Sequence, residues 1–149
     1  MDQIDRKILR VLQSDARASL QEIGQAVGLS ASPCWERIRK MEQAGVIEGY
    51  TVRLSPQALG LADTVLVQVT LDSHSDNTLE KFGETLAAIP EVIEAYLVSG
   101  EYDYLLRVAV KDTRDYERLL RERLYKIKGI RHSKSSFVLR TLKKADLPV

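Results

Sequence analysis

Residues 19–45 have the sequence SLQEIGQAVGLSASPCWERIRKMEQAG, which predicts a helix, a tight turn and a second helix. Ser19 and Glu22 have the S-x-x-E spacing of a capping box, in which each side chain satisfies a backbone donor at the start of a helix. The apolar residues that follow lie on one helical face, at Leu20, Ile23 and Val27. Gly28 is expected to end this helix.

The second helix of this stretch can be capped by either Ser30 or Ser32, and the sequence does not choose between them. Pro33 falls in its first turn, where a missing N–H is tolerated. The inward stripe consists of Ala31, Cys34, Ile38 and Met41. The outward positions are Ser32, Glu36, Arg39, Lys40 and Gln43. Such a pair of helices is typical of a helix-turn-helix DNA reader, but an ordinary helical hairpin has the same periodicity.

A third helix is predicted upstream, with Asp2 as its cap and an end near Ser14-Asp15. Its apolar positions are Ile4, Ile8, Leu9 and Leu12. These residues give the helix-turn-helix pair a surface on which to pack, so the N-terminal region is expected to be a three-helix, winged-helix-like domain.

The composition is that of a globular protein, with 44% hydrophobic and 29% charged residues in 149. The net charge is only +1, so any contact with DNA must come from a local cationic patch. Cys34 is the single cysteine and excludes an internal disulfide. No N-terminal apolar run resembles a signal peptide or a membrane span, so the expected location is the cytoplasm and no membrane partner is expected.

After Gly45, the β-branched and aromatic residues of 46–54 suggest an extended arm. Ser55-Pro56 and Gly60 then indicate a hinge, because Pro and Gly interrupt regular structure. The predicted domains are 1–54 for the DNA-binding part with its arm, 55–61 for the hinge and 62–149 for the second domain.

The second domain alternates between strand and helix patterns. Four strands are predicted, at Val65–Leu71, Val92–Val98, Tyr104–Val110 and Ile130–Leu142, the middle two forming a hairpin. A helix opened by an Asn77 and Glu80 capping box and closed by Pro90 follows the first strand. Another helix, capped by Asp112 or Thr113 and ended by Gly129, precedes the last strand. The order β-α-β-β-α-β predicts a ferredoxin-like fold, so the chain is of the α+β class.

The strands of this sheet carry apolar residues on both sides, as in Val65-Leu66-Val67, Val92-Ile93 and Tyr96-Leu97. Both helices are expected on one face, which leaves the other face without a cover. The expected cover is a second copy of the chain, in a two-fold homodimer.

The chain resembles the leucine-responsive and asparagine-operon regulators, the Lrp/AsnC or feast/famine family of transcription factors, over nearly all of its length. The residues that carry the resemblance are Ile4 to Leu9, Ser32-Pro33-Cys34, Met41 to Tyr50 and Val98 to Leu106. The resemblance implies a regulator of double-stranded DNA that forms dimers and then tetramers or octamers. It also implies a small effector, usually an amino acid, bound between subunits.

By the same resemblance, the DNA-facing residues are Ser30, Ser32, Pro33, Arg37, Arg39 and Lys40. Arg37 lies at the flank of the helix and is expected to touch phosphate instead of a base. Trp35 is expected to pack at the helix flank, because a large indole is mostly a burial group. Cys34 faces inward and is expected to be a small buried hydrophobe.

The implied effector site combines the turn Ser99-Gly100-Glu101-Tyr102-Asp103 with residues of the last strand, Ser133, Ser135 and Ser136. The carboxylates of the turn suit an ammonium group, and the serine hydroxyls suit a carboxylate. A purely structural interpretation stays open, in which Gly100 forms the turn and Asp103 bonds nearby backbone amides.

An enzyme is not expected, because His74, His132 and Cys34 are scattered and no metal-ligand or phosphate-loop spacing is present. No cofactor is expected beyond an amino-acid effector. The alternative function is a non-transcriptional amino-acid-sensing module, since βαββαβ domains often regulate and the net charge is low.

Overall fold

The computed structural model describes residues 1–73 and 76–149, with only the backbone for residues 76–78. The chain divides into two compact units, which we call the helical unit (Met1–Arg53 and Lys143–Val149) and the sheet unit (Leu54–Leu142). His74 and the side chain of Asn77, both named in the sequence analysis, lie outside the described residues.

The helical unit contains α1 (Gln3–Ser14), α2 (Leu20–Val27) and α3 (Ala31–Gln43). Both predicted N-terminal caps are present: the carboxylate of Asp2 accepts from the Asp5 amide, and Ser19 and Glu22 form a complete capping box. Gly28 ends α2 in the left-handed conformation, at φ 75°. The three helices enclose a core of Ile8, Leu9, Ile23, Cys34, Ile38 and Met41.

The start of α3 resolves the two possible caps. Ser30 is the N-cap residue and Ser32 lies inside the helix, with Pro33 in the first turn as predicted. Ala31 is exposed, so the buried stripe begins at Cys34 and not at Ala31. The first helical residue lies outside the buried core of the helical unit.

Gly24 is the point at which α2 meets the turn before α3. A Cβ atom at this position would lie 2.4 Å from the carbonyl oxygen of Leu29, far inside van der Waals contact. The Leu29 amide in turn donates to the Gly24 carbonyl at 2.9 Å. The turn therefore approaches α2 so closely that only glycine fits, a requirement that the sequence analysis did not single out.

After α3 the chain continues without a strand until Asp63, so no β-wing follows the helices. The expected hinge residues form a turn in which the Leu61 amide donates to the Pro56 carbonyl at 2.8 Å and the Ala58 amide to Ser55 Oγ at 3.2 Å.

Residues 143–149, expected in the second domain, pack on the helical unit. Arg10 Nε donates to the Val149 carbonyl at 2.9 Å, and Gln13 Nε2 donates to the Leu147 carbonyl at 2.9 Å. Asp146 pairs with Arg53. Arg10 and Gln13 thus satisfy backbone acceptors of residues 143–149, which we call the tail, and Val149 packs against the helical core. Contacts with residues distant in sequence thus place residues 143–149 in the helical unit, and the pattern of apolar residues along the sequence could not predict them.

The sheet unit has four strands, β1 (Asp63–Leu71), β2 (Val92–Leu97), β3 (Tyr104–Val110) and β4 (Ile130–Phe137), in the spatial order β2-β3-β1-β4. All three strand pairs are antiparallel, and β2 and β3 form the predicted hairpin. Helices α4 (Asp76–Ala87) and α5 (Thr113–Glu122) pack on one face through Phe82, Leu86, Tyr116 and Leu119. This is the predicted ferredoxin-like βαββαβ arrangement.

Two predicted elements of the sheet unit are too long. The last strand ends at Phe137, which pairs with Val65 of β1, instead of at Leu142; one further bond, from the Val138 amide to the Thr64 carbonyl at 2.9 Å, follows it. The last helix ends at Glu122 instead of near Gly129, and a 3-10 turn, Leu124–Lys126, follows it and buries Leu124 in the core. Asp112 caps α5.

Candidate functional site

The outward face of α3 carries the predicted DNA-facing residues that remain free for a ligand. Ser32, Arg39 and Lys40 are exposed, and the cap residue Ser30 makes no side-chain hydrogen bond to the helix. Within the described chain, neither Arg39 nor Lys40 forms an ion pair. The face therefore combines two uncompensated cations with hydroxyl groups near the helix N-terminus, a chemistry that suits a phosphate backbone and base edges.

Arg37 differs from these residues, because its guanidinium is held inside the helical unit. Its Nη1 donates at 2.7 Å to both Asp2 and Asp5, so it links α3 to the capped start of α1. The Asp5 amide and Arg37 lower the pKa of Asp2, and the two carboxylates raise the pKa of Arg37. Arg37 therefore has a structural role that its expected place among the DNA-facing residues did not include.

Trp35 was expected to pack at the helix flank, but 48% of the residue is exposed. The guanidinium of Arg39 lies over its ring, 5.2 Å from the centroid. The reason is steric: Cys34, Ile38 and Met41 already fill the inward stripe, and Trp35 lies about 100° around the helix from Cys34. The same helical wheel puts Arg37 near the edge of the stripe towards α1, which is the signal that could have revealed its ion pairs.

The turn between β2 and β3 holds the predicted effector residues Ser99–Asp103. Gly100 has φ 135°, a conformation that favours glycine, and Ser99, Gly100 and Glu101 are exposed. Asp103 ties the turn to β1, because its amide donates to the Val69 carbonyl at 2.9 Å and its Oδ2 accepts from the Leu71 amide at 2.7 Å. Part of the carboxylate of Asp103 is thus engaged by the backbone, as the structural interpretation expects.

The three serines of β4 do not share one face of the sheet. Ser133 and Ser135 pair with the fully buried Val69 and Val67, whereas Ser136 pairs with the exposed Leu66. Directly paired residues point to the same face of a sheet, so Ser133 and Ser135 lie on the helix-covered face and Ser136 on the open face.

Ser135 already has a partner on the helix-covered face. Its Oγ shares a hydrogen bond of 2.5 Å with the Tyr116 hydroxyl of α5. Burial raises the pKa of Tyr116, and this hydrogen bond acts in the opposite direction. A ligand that uses Ser135 must therefore share its hydroxyl with Tyr116 or displace that bond.

The open face of the sheet mixes apolar and charged groups, which corrects the expectation of an apolar second face. Arg107 forms a bidentate pair with Glu94, at 2.8 Å from Nε and 2.6 Å from Nη2. This pair raises the pKa of Arg107. Leu66 of β1 pairs directly with Arg107, and Leu105, two residues earlier on β3, pairs with Tyr96 of β2; these residues keep part of the face apolar. Buried and more exposed positions alternate along β1 and most of β3, as predicted, but not every residue on the open face is apolar.

A groove of about 650 Å³ lies in the helical unit, between α1, residues 46–53 and the tail. The helical unit is not the one that holds the predicted effector turn. Among the described residues, no group of three or more His, Cys, Asp or Glu side chains could hold a metal ion. None of the described helices is long and apolar enough to cross a membrane.

Comparison with known proteins extends these observations to the whole chain. Residues 1–42 match the AsnC-type helix-turn-helix domain, and residues 64–148 match the Lrp/AsnC ligand-binding domain. The leucine-responsive regulatory proteins of Klebsiella pneumoniae and Escherichia coli K12 are each 38% identical over 146 residues, which cover 98% of this chain and 89% of theirs.

Solved structures agree. An AsnC family transcriptional regulator from Agrobacterium tumefaciens is 42% identical with a TM-score of 0.94, over 99% of this chain and 97% of that one. A transcriptional regulator of Neisseria meningitidis in complex with L-Met is 33% identical with a TM-score of 0.91, over 97% and 93%. The chain belongs to the Lrp/AsnC family of transcriptional regulators, in which a helix-turn-helix DNA-binding domain is joined to a ligand-binding domain.

Proposed function

We propose that this protein binds specific sites on double-stranded DNA through α3 and that an amino acid bound in the sheet unit modulates this binding. The observation that carries the first half is the exposed face of α3, where Arg39 and Lys40 have no carboxylate partner among the described residues. A helix with such a face fits the major groove, and its cations replace the counterions of the phosphates.

The proposed DNA contacts are divided by chemistry. Ser30, Ser32 and Pro33 stand at the helix N-terminus, where backbone amides and hydroxyls favour a phosphate oxygen. Arg39 and Lys40 follow along the helix and reach base edges or phosphates. Arg37 is left out of this set, because Asp2 and Asp5 hold its guanidinium.

The effector site is proposed to form between two subunits, from the turn Ser99–Asp103 of one and the β4 serines of another. Two observations support this. The serines lie on opposite faces of the sheet within one chain, which favours a site completed by a second subunit. A related regulator of Neisseria meningitidis was solved in complex with L-Met, which supports an amino acid as the ligand class.

The open face of the sheet is the proposed contact in a homodimer, which assembles further into a tetramer or octamer. Leu66 and Tyr96 are 37% and 49% exposed there, and the adjacent Arg107–Glu94 pair can align two copies. Leu66→Lys should therefore dissociate the dimer in sedimentation equilibrium. Leu66→Met, which keeps an apolar side chain, should not. A Leu66→Lys protein of wild-type mass would contradict this interface.

The proposed division of labour is DNA reading by residues 1–54, a hinge at 55–61, and effector binding and oligomerisation by 62–149 without residues 143–149, which pack on the helical unit. The protein is proposed to act in the cytoplasm, without catalysis and without a cofactor other than its effector. Membership of a regulator family supports these assignments.

Two measurements on the full chain test the proposal. Selection from double-stranded DNA with a randomised core should enrich one sequence, with affinity that falls steeply as salt rises. A thermal-shift screen of the proteinogenic amino acids should raise the melting temperature with one or a few of them, because a ligand that binds only the native state stabilises it. Failure to enrich any DNA sequence would overturn the first half; no shift with any amino acid would overturn the second.

A further inference from the structure

Trp35 and Arg39 form a stacked pair on the DNA-facing side of α3. Nearly half of the indole is exposed, and the guanidinium lies 5.2 Å from its centroid. The two residues are four apart, so they occupy successive turns of the same helical side. A stacked guanidinium samples fewer conformations than a free one, so less freedom is lost when it binds.

The charge of this pair is not neutralised from within the protein. Arg37 and Arg53 have carboxylate partners, Asp2 with Asp5 and Asp146, respectively. Arg39 has only the ring of Trp35 among the described residues. The sequence thus places one arginine of the helical unit against an aromatic ring and leaves its donors open to a ligand.

Glu36 indicates which part of DNA this side of α3 meets. It is exposed and lies about 60° around the helix from Arg39, on the side away from Trp35. A carboxylate is repelled by phosphates but can accept a hydrogen bond from the amino group of cytosine in the major groove. The centre of this face therefore suits base edges, and the phosphates are left to Lys40 and the helix N-terminus.

The two side chains differ in what they can read. The donor fork of arginine matches the O6 and N7 acceptors of guanine. The face of an indole has no such polar group, and among the four bases only thymine presents an apolar group, its 5-methyl, in the major groove. A spacing of 5.2 Å between ring and guanidinium spans neighbouring base pairs, which rise by about 3.4 Å.

We propose that Trp35 and Arg39 read a thymine–guanine step as one unit, in which the indole covers the thymine methyl and the guanidinium binds the adjacent guanine. This inference rests on the proposed DNA reading by α3 and names the bases that it selects. It makes Trp35 a determinant of specificity, in contrast to the packing role expected from its size.

The test begins with full-length protein and double-stranded DNA carrying a randomised core two helical turns long. In the site that the wild type selects, each thymine is replaced in turn by deoxyuridine, which removes only the methyl group. One replacement, next to a guanine, should weaken wild-type binding about fourfold, the effect of one buried methyl group. Replacing that guanine by 7-deazaguanine should weaken wild-type binding as well, because the N7 acceptor is removed.

Variants of Trp35 and Arg39 test whether these side chains contact the bases or are only exposed on α3. Trp35→Ala should bind more weakly and show no methyl dependence, Trp35→Phe should retain it in part, and Arg39→Ala should be insensitive to 7-deazaguanine. Tyr125→Ala serves as the matched control, since Tyr125 is an exposed aromatic residue (65%) of the sheet unit. It should keep the wild-type methyl dependence.

The outcomes distinguish this inference from the function on which it rests. Enrichment of no sequence by the wild type would overturn both. A selected site whose methyl dependence is the same in Trp35→Ala would overturn the inference alone. If Trp35→Ala fails to fold, as judged by circular dichroism, the wild type and Trp35→Phe still decide, because a selected site without any methyl dependence in the wild type overturns the inference.

Discussion

The α3 helix and the β2–β3 turn carry the two proposed sites, and they differ in how completely one chain builds them. The outward residues of α3 follow from thirteen consecutive residues and lie together on one exposed face. The effector residues come from the turn and from β4, and β4 divides its serines between opposite faces of the sheet. The DNA-facing residues of α3 therefore lie together within one chain, whereas the effector site is proposed to need a second chain to complete it.

The two regions also differ in whether their charged side chains already have partners within the chain. Arg39 and Lys40 have no ion pair within the described chain, so their removal should affect binding more than folding. Asp103 bonds the Leu71 amide, so its removal should affect both. Substitutions in each region test this distinction.

The largest effect is expected from the double substitution of Arg39 and Lys40 by Ala. A base contact by arginine contributes about 1–3 kcal/mol, so the loss of Arg39 alone should lower affinity for the selected DNA roughly five- to 150-fold, and the loss of Lys40 should lower it further. The slope of log K against log salt should become shallower by about one for each phosphate that no longer meets a cation. Titrations monitored by fluorescence anisotropy at several salt concentrations measure both quantities.

A charge-matched control keeps this prediction specific. Ala at both Lys126 and Lys128 of the sheet unit removes the same two charges and should change affinity little. Equal weakening in the two double variants would mean that net charge, and not the face of α3, holds DNA.

Gly24→Ala should be the most damaging single change to the scaffold of α3. The added Cβ would lie 2.4 Å from the Leu29 carbonyl, so the turn must shift, which should lower the free energy of unfolding by about 1–3 kcal/mol. Gly49→Ala is the matched control, because nothing lies within 4 Å of its Cβ position. Denaturant unfolding followed by the fluorescence of Trp35, the single tryptophan, reports on the helical unit. Equal stability of the two variants would show that the turn has room to relax.

Asp103 should separate structural from ligand roles when it is changed in two ways. Asp103→Asn keeps an acceptor for the Leu71 amide but removes the charge, so stability should change little while effector affinity falls about tenfold. Asp103→Ala removes both and should also lower the melting temperature. Calorimetric titration with the amino acid found in the thermal-shift screen measures the affinity. Wild-type affinity in Asp103→Asn would restrict the residue to the turn.

The smallest effect concerns acid. The Asp5 amide and Arg37 lower the pKa of Asp2 below its ordinary value of 3.8 in the folded protein. A group with a lowered pKa stabilises the fold above its ordinary pKa, and this stabilisation is lost as the pH falls through its folded pKa. The helical unit should therefore lose stability below about pH 3.8.

Asp2→Asn should lower stability at neutral pH and reduce this acid-dependent loss. Glu36→Gln, which removes an exposed carboxylate without such partners among the described residues, should leave the loss as it is. Thermal unfolding at a series of pH values checks both variants. An unchanged acid profile in Asp2→Asn would assign the loss to other carboxylates.

The features of the fold that could be predicted are those set by nearby residues. The caps at Asp2 and Ser19, the end of α2 at Gly28 and the alternation of β1 all depend on neighbours within four residues. The errors occurred where a distant partner decides. The last strand stops at Phe137, where its pairing with β1 ends, and Trp35 is exposed because other side chains already fill the core.

The sites follow the same division. The outward position of Ser32, Arg39 and Lys40 on α3 could be predicted from the sequence, because helical periodicity alone sets that face. The three-dimensional fold was needed to reveal that Asp2 and Asp5 hold Arg37, that Asp103 bonds β1, and that the β4 serines point to opposite faces. The physical reason is that backbone bonding and side-chain periodicity act within a few residues, whereas pairing between charges and strands depends on which distant segments the fold brings together.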